Sequence, residues 1–212
     1  MDYKRYKFPR TFHIPNSKGI TSDDKIIKNY DNFIGKEIII TEKMDGENTS
    51  LYSDSFIHAR SINSDSHESR DYIKNWWSEK YYLLPLYYRV CGENLFAKHS
   101  LFYDNLESYL YGFAIFDDNN FRLSIDEMLI WFEELDIKYP KILYRGIFDE
   151  KIINNLINIL DFTKVEGFVV SSTESFHYNE YSKSTCKFVR NNHVQTDKHW
   201  KSQEIIKNGL KV

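Results

Sequence analysis

The segment Lys43-Met44-Asp45-Gly46 follows the apolar run Ile38-Ile39-Ile40-Thr41 and precedes Glu47-Asn48-Thr49-Ser50-Leu51. A lysine at the end of a buried strand can act as a nucleophile, because desolvation and nearby positive charge both lower an ammonium's pKa. Taken alone, the tetrapeptide reads first as a hairpin: Asp-Gly between two β-type runs is a strong turn signal, since glycine takes positive φ freely. Other candidates also sit at strand ends. Glu93 lies in Cys91-Gly92-Glu93-Asn94, Glu166 opens Glu166-Gly167-Phe168-Val169-Val170, and Lys187 lies in Cys186-Lys187-Phe188-Val189-Arg190. Singly, each acid is ordinarily a solvent-facing strand end and the lysine an edge charge. Together, two carboxylates beside a strand-end lysine can hold a magnesium ion through oxygen.

The elements that must position these groups mix strand and helix signals. Residues 37–41, 48–52, 56–61, 86–95, 109–117, 142–144, 165–171 and 185–190 read as strands. Residues 23–33, 66–80, 150–160 and 200–208 read as helices. Another helix starts at the capping box Ser124-Ile125-Asp126-Glu127 and runs to about 134 or 135, because the serine oxygen satisfies an early N–H while the glutamate reaches back. No regular βαβ alternation occurs, so the expected class is α+β on antiparallel sheets. No repeat, low-complexity tract or linker divides residues 1–212, which read as one domain.

Composition is compatible with this. Of 212 residues, 42% are hydrophobic and 28% charged, which predicts a packed core rather than disorder. The 16 Tyr and 15 Phe suit a β-rich protein and offer stacking surfaces for bases, although most are expected in the core. A net charge of −3 leaves nucleic-acid binding to a local patch, for which Arg60, Arg70, Lys74, Lys183, Lys187, Arg190 and Lys198 are available. Cys91 and Cys186 form neither a disulfide framework nor a zinc pair, which suits a reducing compartment. His13, His58, His99, His193 and His199 read as surface or RNA-contact residues rather than zinc ligands. Without a signal region or an apolar span, a cytoplasmic, non-membrane protein is expected, and a monomer. The richness in Asn, Ile, Lys and Tyr hints weakly at an AT-rich viral or phage genome.

In order and spacing, these segments resemble the covalent nucleotidyltransferases: ATP-dependent RNA and DNA ligases and messenger-RNA capping guanylyltransferases. Their first motif, Lys-x-Asp-Gly, is matched by Lys43, Asp45 and Gly46. Ala59-Arg60-Ser61 resembles the arginine motif, Gly92-Glu93 the third, Phe116-Asp117 the purine-stacking segment, Glu166-Gly167 the fourth and Lys187 the fifth. The match is closest to the small RNA ligases. Residues 7–15 resemble their amino-terminal segment, residues 41–49 their nucleophile motif and residues 193–200 their ending. The fifth motif in many ligases is Lys-x-Lys, whereas Thr185 and Val189 flank Lys187 here; Lys183 and Arg190 are candidates for the second charge. Only residues 188–212 follow Lys187, which leaves no expected OB domain and disfavours DNA ligases and capping enzymes.

The resemblance implies an ATP-grasp-like adenylation domain that forms lysyl–AMP, transfers AMP to an RNA 5′-phosphate and seals it to a 3′-hydroxyl. ATP and Mg2+ or Mn2+ are the implied cofactors. It implies Lys43 as nucleophile, Asp45 on the ribose or seating the lysine, and Glu42 on the adenine amino group. Phe116 is the implied stacking ring, with Phe113 as the alternative. Glu166 is the implied metal ligand, Glu93 contacts a metal or the ribose, and a bound magnesium ion with Lys187 and Arg60 is implied to depress the lysine's pKa. Alternatives are a guanylyltransferase, a non-catalytic nucleotide- or RNA-binding module of the same fold, and a structural β domain with a chance Lys-x-Asp-Gly.

Overall fold

The computed structural model describes residues 3–191 and 204–211. Its strands and helices are, in chain order, β1 (Phe12–His13), β2 (Glu37–Lys43), β3 (Glu47–Tyr52), β4 (Ile57–Ala59), α1 (Asp71–Ser78), β5 (Arg89–Asn94), β6 (Leu110–Phe116), β7 (Phe121–Arg122), α2 (Ile125–Glu134), β8 (Ile142–Ile147), α3 (Glu150–Ile159), β9 (Gly167–Ser172), β10 (Phe176–His177), α4 (Tyr181–Ser184) and β11 (Thr185–Val189). They build two sheets, one ordered β1-β11-β9-β2-β8 and the other β10-β7-β6-β5-β3-β4. Pairing is antiparallel except for β1 beside β11. The α+β class expected from the sequence is the one observed.

Period-two alternation assigns the two faces of the first sheet. Ile38, Ile40, Phe168, Val170, Cys186 and Phe188 point outward into a core closed by Ile153 and Leu156 of α3. Asp149 caps α3, its carboxylate accepting from the Lys151 amide at 2.8 Å. The intervening residues Ile39, Thr41, Val169, Ser171, Thr185 and Lys187 face inward, toward the second sheet. The second sheet packs its own core around Leu51, Val90, Ile115 and Phe116, under Ile73 and Trp77 of α1 and Met128 and Phe132 of α2. The capping box at Ser124 is present, with the Ser124 amide donating to Glu127 Oε2 at 2.9 Å.

Several local expectations are corrected. Residues 23–33 form turns rather than a helix. Asp24 ties back to Thr21, and His13 bridges to Ile26, so local side-chain bonding and strand docking win over helical spacing. The helix expected at 66–80 is a 3-10 turn, Glu68–Arg70, followed by α1. Residues 204–208 form no helix, Lys207 making an isolated bridge to Ala97, and residues 200–203 lie outside the described residues.

The hairpin at Asp45-Gly46 is not formed. β2 and β3 belong to different sheets, so residues 44–46 cross between them. Gly46 is not in a positive-φ conformation. It is needed for close approach: a Cβ there would lie 2.4 Å from the Asn94 carbonyl oxygen. No helix among the described residues is long and apolar enough to cross a membrane.

Candidate active site

A cavity of about 780 Å3 lies between the two sheets. The first sheet supplies its floor as a ladder of side chains, fixed by register. Lys43 on β2 stands opposite Gly167 on β9, and Gly167 opposite Val189 on β11. The next inward row is Thr41, Val169 and Lys187, and the next is Ile39, Ser171 and Thr185. Successive rows are about 7 Å apart at a strand rise of about 3.3 Å per residue. Gly167 is required at the first row, because a Cβ would lie 2.0 Å from the Phe188 carbonyl oxygen. The second sheet supplies the roof through Glu47, Asn48, Glu93, Phe113 and Ala114.

Lys43 is half-buried, and its ammonium is ion-paired to Glu166. Burial acts to lower its pKa, but the carboxylates of Glu166, Glu93 and Asp45 outweigh burial and hold it above the ordinary lysine value. Lys187 and Arg60, expected to depress it together with a bound magnesium ion, do not by themselves outweigh these carboxylates. Lys187 is the lysine that is depressed, to about 8, by burial and then by the charge of Lys43, with Asp24 opposing and Arg60 adding. The Lys187 ammonium lies 3.9 Å from Asp24. Burial lifts the Glu93 carboxyl to about 7 against the pull of Lys43. Burial also raises Glu166, again opposed by Lys43.

Lys43, Glu42, Arg60, Glu93 and Lys187 all border the cavity. Arg60 is exposed at its edge. Glu42 is half-buried, with a carboxyl raised by burial and drawn down by Lys141. Glu166 is buried and reaches the cavity through its pairing with Lys43. Asp45 points elsewhere: its Oδ2 accepts from the Ser100 amide at 2.8 Å, the Ser100 hydroxyl at 2.7 Å and the Leu101 amide at 2.6 Å. It anchors a loop rather than opening toward the cavity.

Phe116 is also not at the site. It is fully buried under the Arg89 guanidinium, 4.1 Å from the ring centroid. Phe113 lines the cavity instead, on the face of β6 opposite Phe116. Phe113 from one sheet and Val169 from the other both line the cavity, and Phe113 offers an aromatic face to it.

Of the suggested patch, Arg70 is buried in a two-bond pair with Glu47, one bond being 2.6 Å, and serves the fold. Lys183 is exposed and paired with Glu180 at 2.9 Å. Arg190 donates to Ser100 at 3.3 Å. Neither stands on the cavity wall as a second fifth-motif cation. Arg122 stands on the cavity wall, although its sequence context signals nothing. It is buried and donates to Ser171 Oγ at 3.2 Å and to the Ser172 carbonyl. Asn48 is a second residue missed: it lines the cavity with a buried Oδ1 that has no hydrogen-bond partner. His13 and His58 are buried rather than on the surface, and His99 borders the cavity. His193, His199, Lys198 and the rest of the motif at 193–200 lie outside the described residues. Phe8, Pro9 and Thr11 of the amino-terminal segment are on the wall.

Among the described residues, no group of three His, Cys, Asp or Glu could hold a metal by itself. Glu93 and Glu166 offer hard oxygen donors. Such a pair fits Mg2+ or Mn2+ when phosphate oxygens and water complete the shell.

A family model described as RNA ligase matches residues 36–189. Comparison with curated proteins gave no match. Among solved structures, an apo mutant of the Naegleria gruberi RNA ligase superposes with a TM-score of 0.57 at 17% identity, over 89% of this chain and 58% of that one. A second mutant of that enzyme, with ATP and Mn, gives 0.56 at 17% identity, over 86% and 57%. An archaeal ATP-dependent RNA ligase gives 0.57 at 14% identity, over 84% and 48%. The chain therefore spans between about half and three-fifths of the structures it matches, and the likeness is one of fold.

Proposed function

Since the chain belongs to the RNA ligase family, we propose that it is an ATP-dependent RNA ligase acting through a covalent lysyl–AMP on Lys43. One observation carries this reading. A strand-end lysine stands in a cavity between two sheets with two carboxylates and a second lysine around it. The solved structures with ATP and Mn support the choice of nucleotide and of a divalent ion.

The base of ATP stacks on Phe113 in the cavity, with Glu42 accepting from the adenine amino group. Lys187 and Arg60 offset the charge of the phosphates. Glu93 and Glu166 would hold Mg2+ or Mn2+, which when bound supplies further charge neutralisation at phosphate. Attack needs a neutral amine, and free lysine titrates near about 10.4. Glu166 touches the ammonium, and we assign it the proton from Nζ. Nζ then forms a bond to the α-phosphorus as the bond to pyrophosphate breaks. An oxygen of an RNA 5′-phosphate attacks the same phosphorus, and the nitrogen–phosphorus bond breaks to free Lys43. A 3′-hydroxyl finally displaces AMP, forming the phosphodiester.

Incubation with ATP labelled at the α-phosphate, with Mg2+ or Mn2+, is expected to leave label on the protein, and Lys43→Ala to abolish it. Wild-type protein that stays unlabelled with both ions overturns the reading. Labelling by GTP in place of ATP assigns guanylyl transfer instead.

A further inference from the structure

The carboxy-terminal segment lies against the loop that follows Glu93. The Asn208 amide donates to the Phe96 carbonyl at 3.0 Å, and its Nδ2 donates to the Leu95 carbonyl at 2.8 Å. Its own carbonyl accepts from the Tyr109 hydroxyl at 2.9 Å. Asn208 is 2% exposed, so this asparagine is a buried polar side chain with partners on several sides. Around it, the Lys98 amide donates to the Ile206 carbonyl at 2.7 Å, Gly209 to Tyr103 at 2.7 Å and Leu106 to Gly209 at 2.9 Å.

The chain of bonds continues to the nucleophile. The Tyr103 amide donates to Asn208 Oδ1 at 3.0 Å. The Tyr103 hydroxyl accepts from the Asp45 amide at 3.0 Å. The Asp45 carboxylate takes three bonds from Ser100 and Leu101, in the same loop. The Gly46 amide donates to Glu93 Oε1 at 3.2 Å. The backbone of the crossing between β2 and β3 is thus held from the loop side, two and three residues beyond Lys43. No strand ladder holds it, because β2 and β3 separate into different sheets at this point.

We infer that Asn208 and Tyr103 are positioning residues that, through Asp45, fix the crossing on which Lys43 is presented. This inference rests on the reading of Lys43 as nucleophile. Its physical basis is that a nucleophile held about 1 Å out of line can lose two orders of magnitude in rate. The Asp45 carboxylate acts on the loop, and the loop is fastened by the carboxy-terminal segment.

Tyr103→Phe removes only the hydroxyl that accepts the Asp45 amide. It is expected to leave the fold intact and half-saturation by ATP within about twofold, while single-turnover labelling at saturating ATP slows on the order of tenfold. Asn208→Ala is expected to do the same and to speed amide exchange at Asp45 and Gly46. A merely structural role would lower the melting temperature but leave the labelling rate of folded protein unchanged at lower temperature. Folded variants of both kinds that label at the wild-type rate, or an Asn208→Ala protein with unaltered exchange at Asp45 and Gly46, overturn the inference. Wild type that never labels overturns the ligase reading instead, and the exchange measurement still reports on the strut.

Discussion

At Lys43 two opposing effects meet, and the carboxylates win. Burial favours the neutral amine, but Glu166 in contact, with Glu93 and Asp45 nearby, favours the ammonium. The resting lysine is therefore protonated, and under the proposed reaction Glu166 accepts the proton or turns to another partner. Lys187 is the reverse case, with burial and the Lys43 charge bringing it to about 8. Protonated Lys187 attracts phosphate and neutral Lys187 does not, so ATP affinity is expected to weaken as pH rises through about 8. In Lys187→Arg the guanidinium stays charged, so that fall should disappear. Titration calorimetry of ATP on either side of that pH checks it; an equal fall in both proteins counts against the assignment. Phe113 and Phe116 show what a residue-level reading misses. Alternation separates Phe113 from Phe116, but which face of β6 looks into the cavity depends on the sheet packed against it.

At the scale of elements, the motifs read well where local signals agree. The capping box at Ser124 and the alternating strands of both sheets appear with nearly the expected bounds, because each is specified by its own residues. Ser124→Ala is expected to cost about 1 kcal/mol, as the Glu127 amide loses its acceptor. Trp77→Ala should cost about 3–5 kcal/mol, since Trp77 is fully buried and its Nε1 donates to the Tyr52 carbonyl at 2.9 Å. Urea unfolding of the two variants should show that order, and a larger loss at Ser124 contradicts it. The failures occur where tertiary contacts override spacing. Residues 23–33 carry helical periodicity yet bury Tyr30 and Phe33 against the outer face of the first sheet in turns. Asp45-Gly46 has the composition of a hairpin yet crosses between sheets. A turn signal says that the chain bends but not which strand it pairs with next.

Across the whole molecule, buried and half-buried polar groups tie the two sheets and the amino-terminal segment together. The Arg5 guanidinium pairs with Asp54 and lies 4.2 Å from the Phe56 ring centroid, and Arg122 reaches from the second sheet to Ser171 and Ser172 of the first. His58 is buried between these parts, with its pKa lowered mainly by burial while the Ala59 carbonyl opposes. The sign follows. A histidine whose folded pKa is below its free value of about 6.5 stabilises the fold fully above that pH and loses this contribution as pH falls through the folded pKa. Melting temperature is therefore expected to drop below about pH 6.5. His58→Gln should have a shallower drop over the same window, and differential scanning calorimetry on both proteins tests it. An equally steep drop in the variant assigns the effect to other groups.

The sequence by itself singled out the candidate residues Lys43, Glu93, Glu166 and Lys187 and fixed their order, each in or next to a strand recognisable from its own residues. It also determined the α+β class, because local periodicity and capping are properties of short segments. Only the tertiary structure decided which side chains face each other. It put β2 and β3 in separate sheets, turned Asp45 toward Ser100, chose Phe113 over Phe116, brought in Arg122 and Asn48, and set the Asn208 segment behind the lysine. The physical reason is that register and sheet partner are fixed by burial summed over residues far apart in the chain, which no short window of sequence contains.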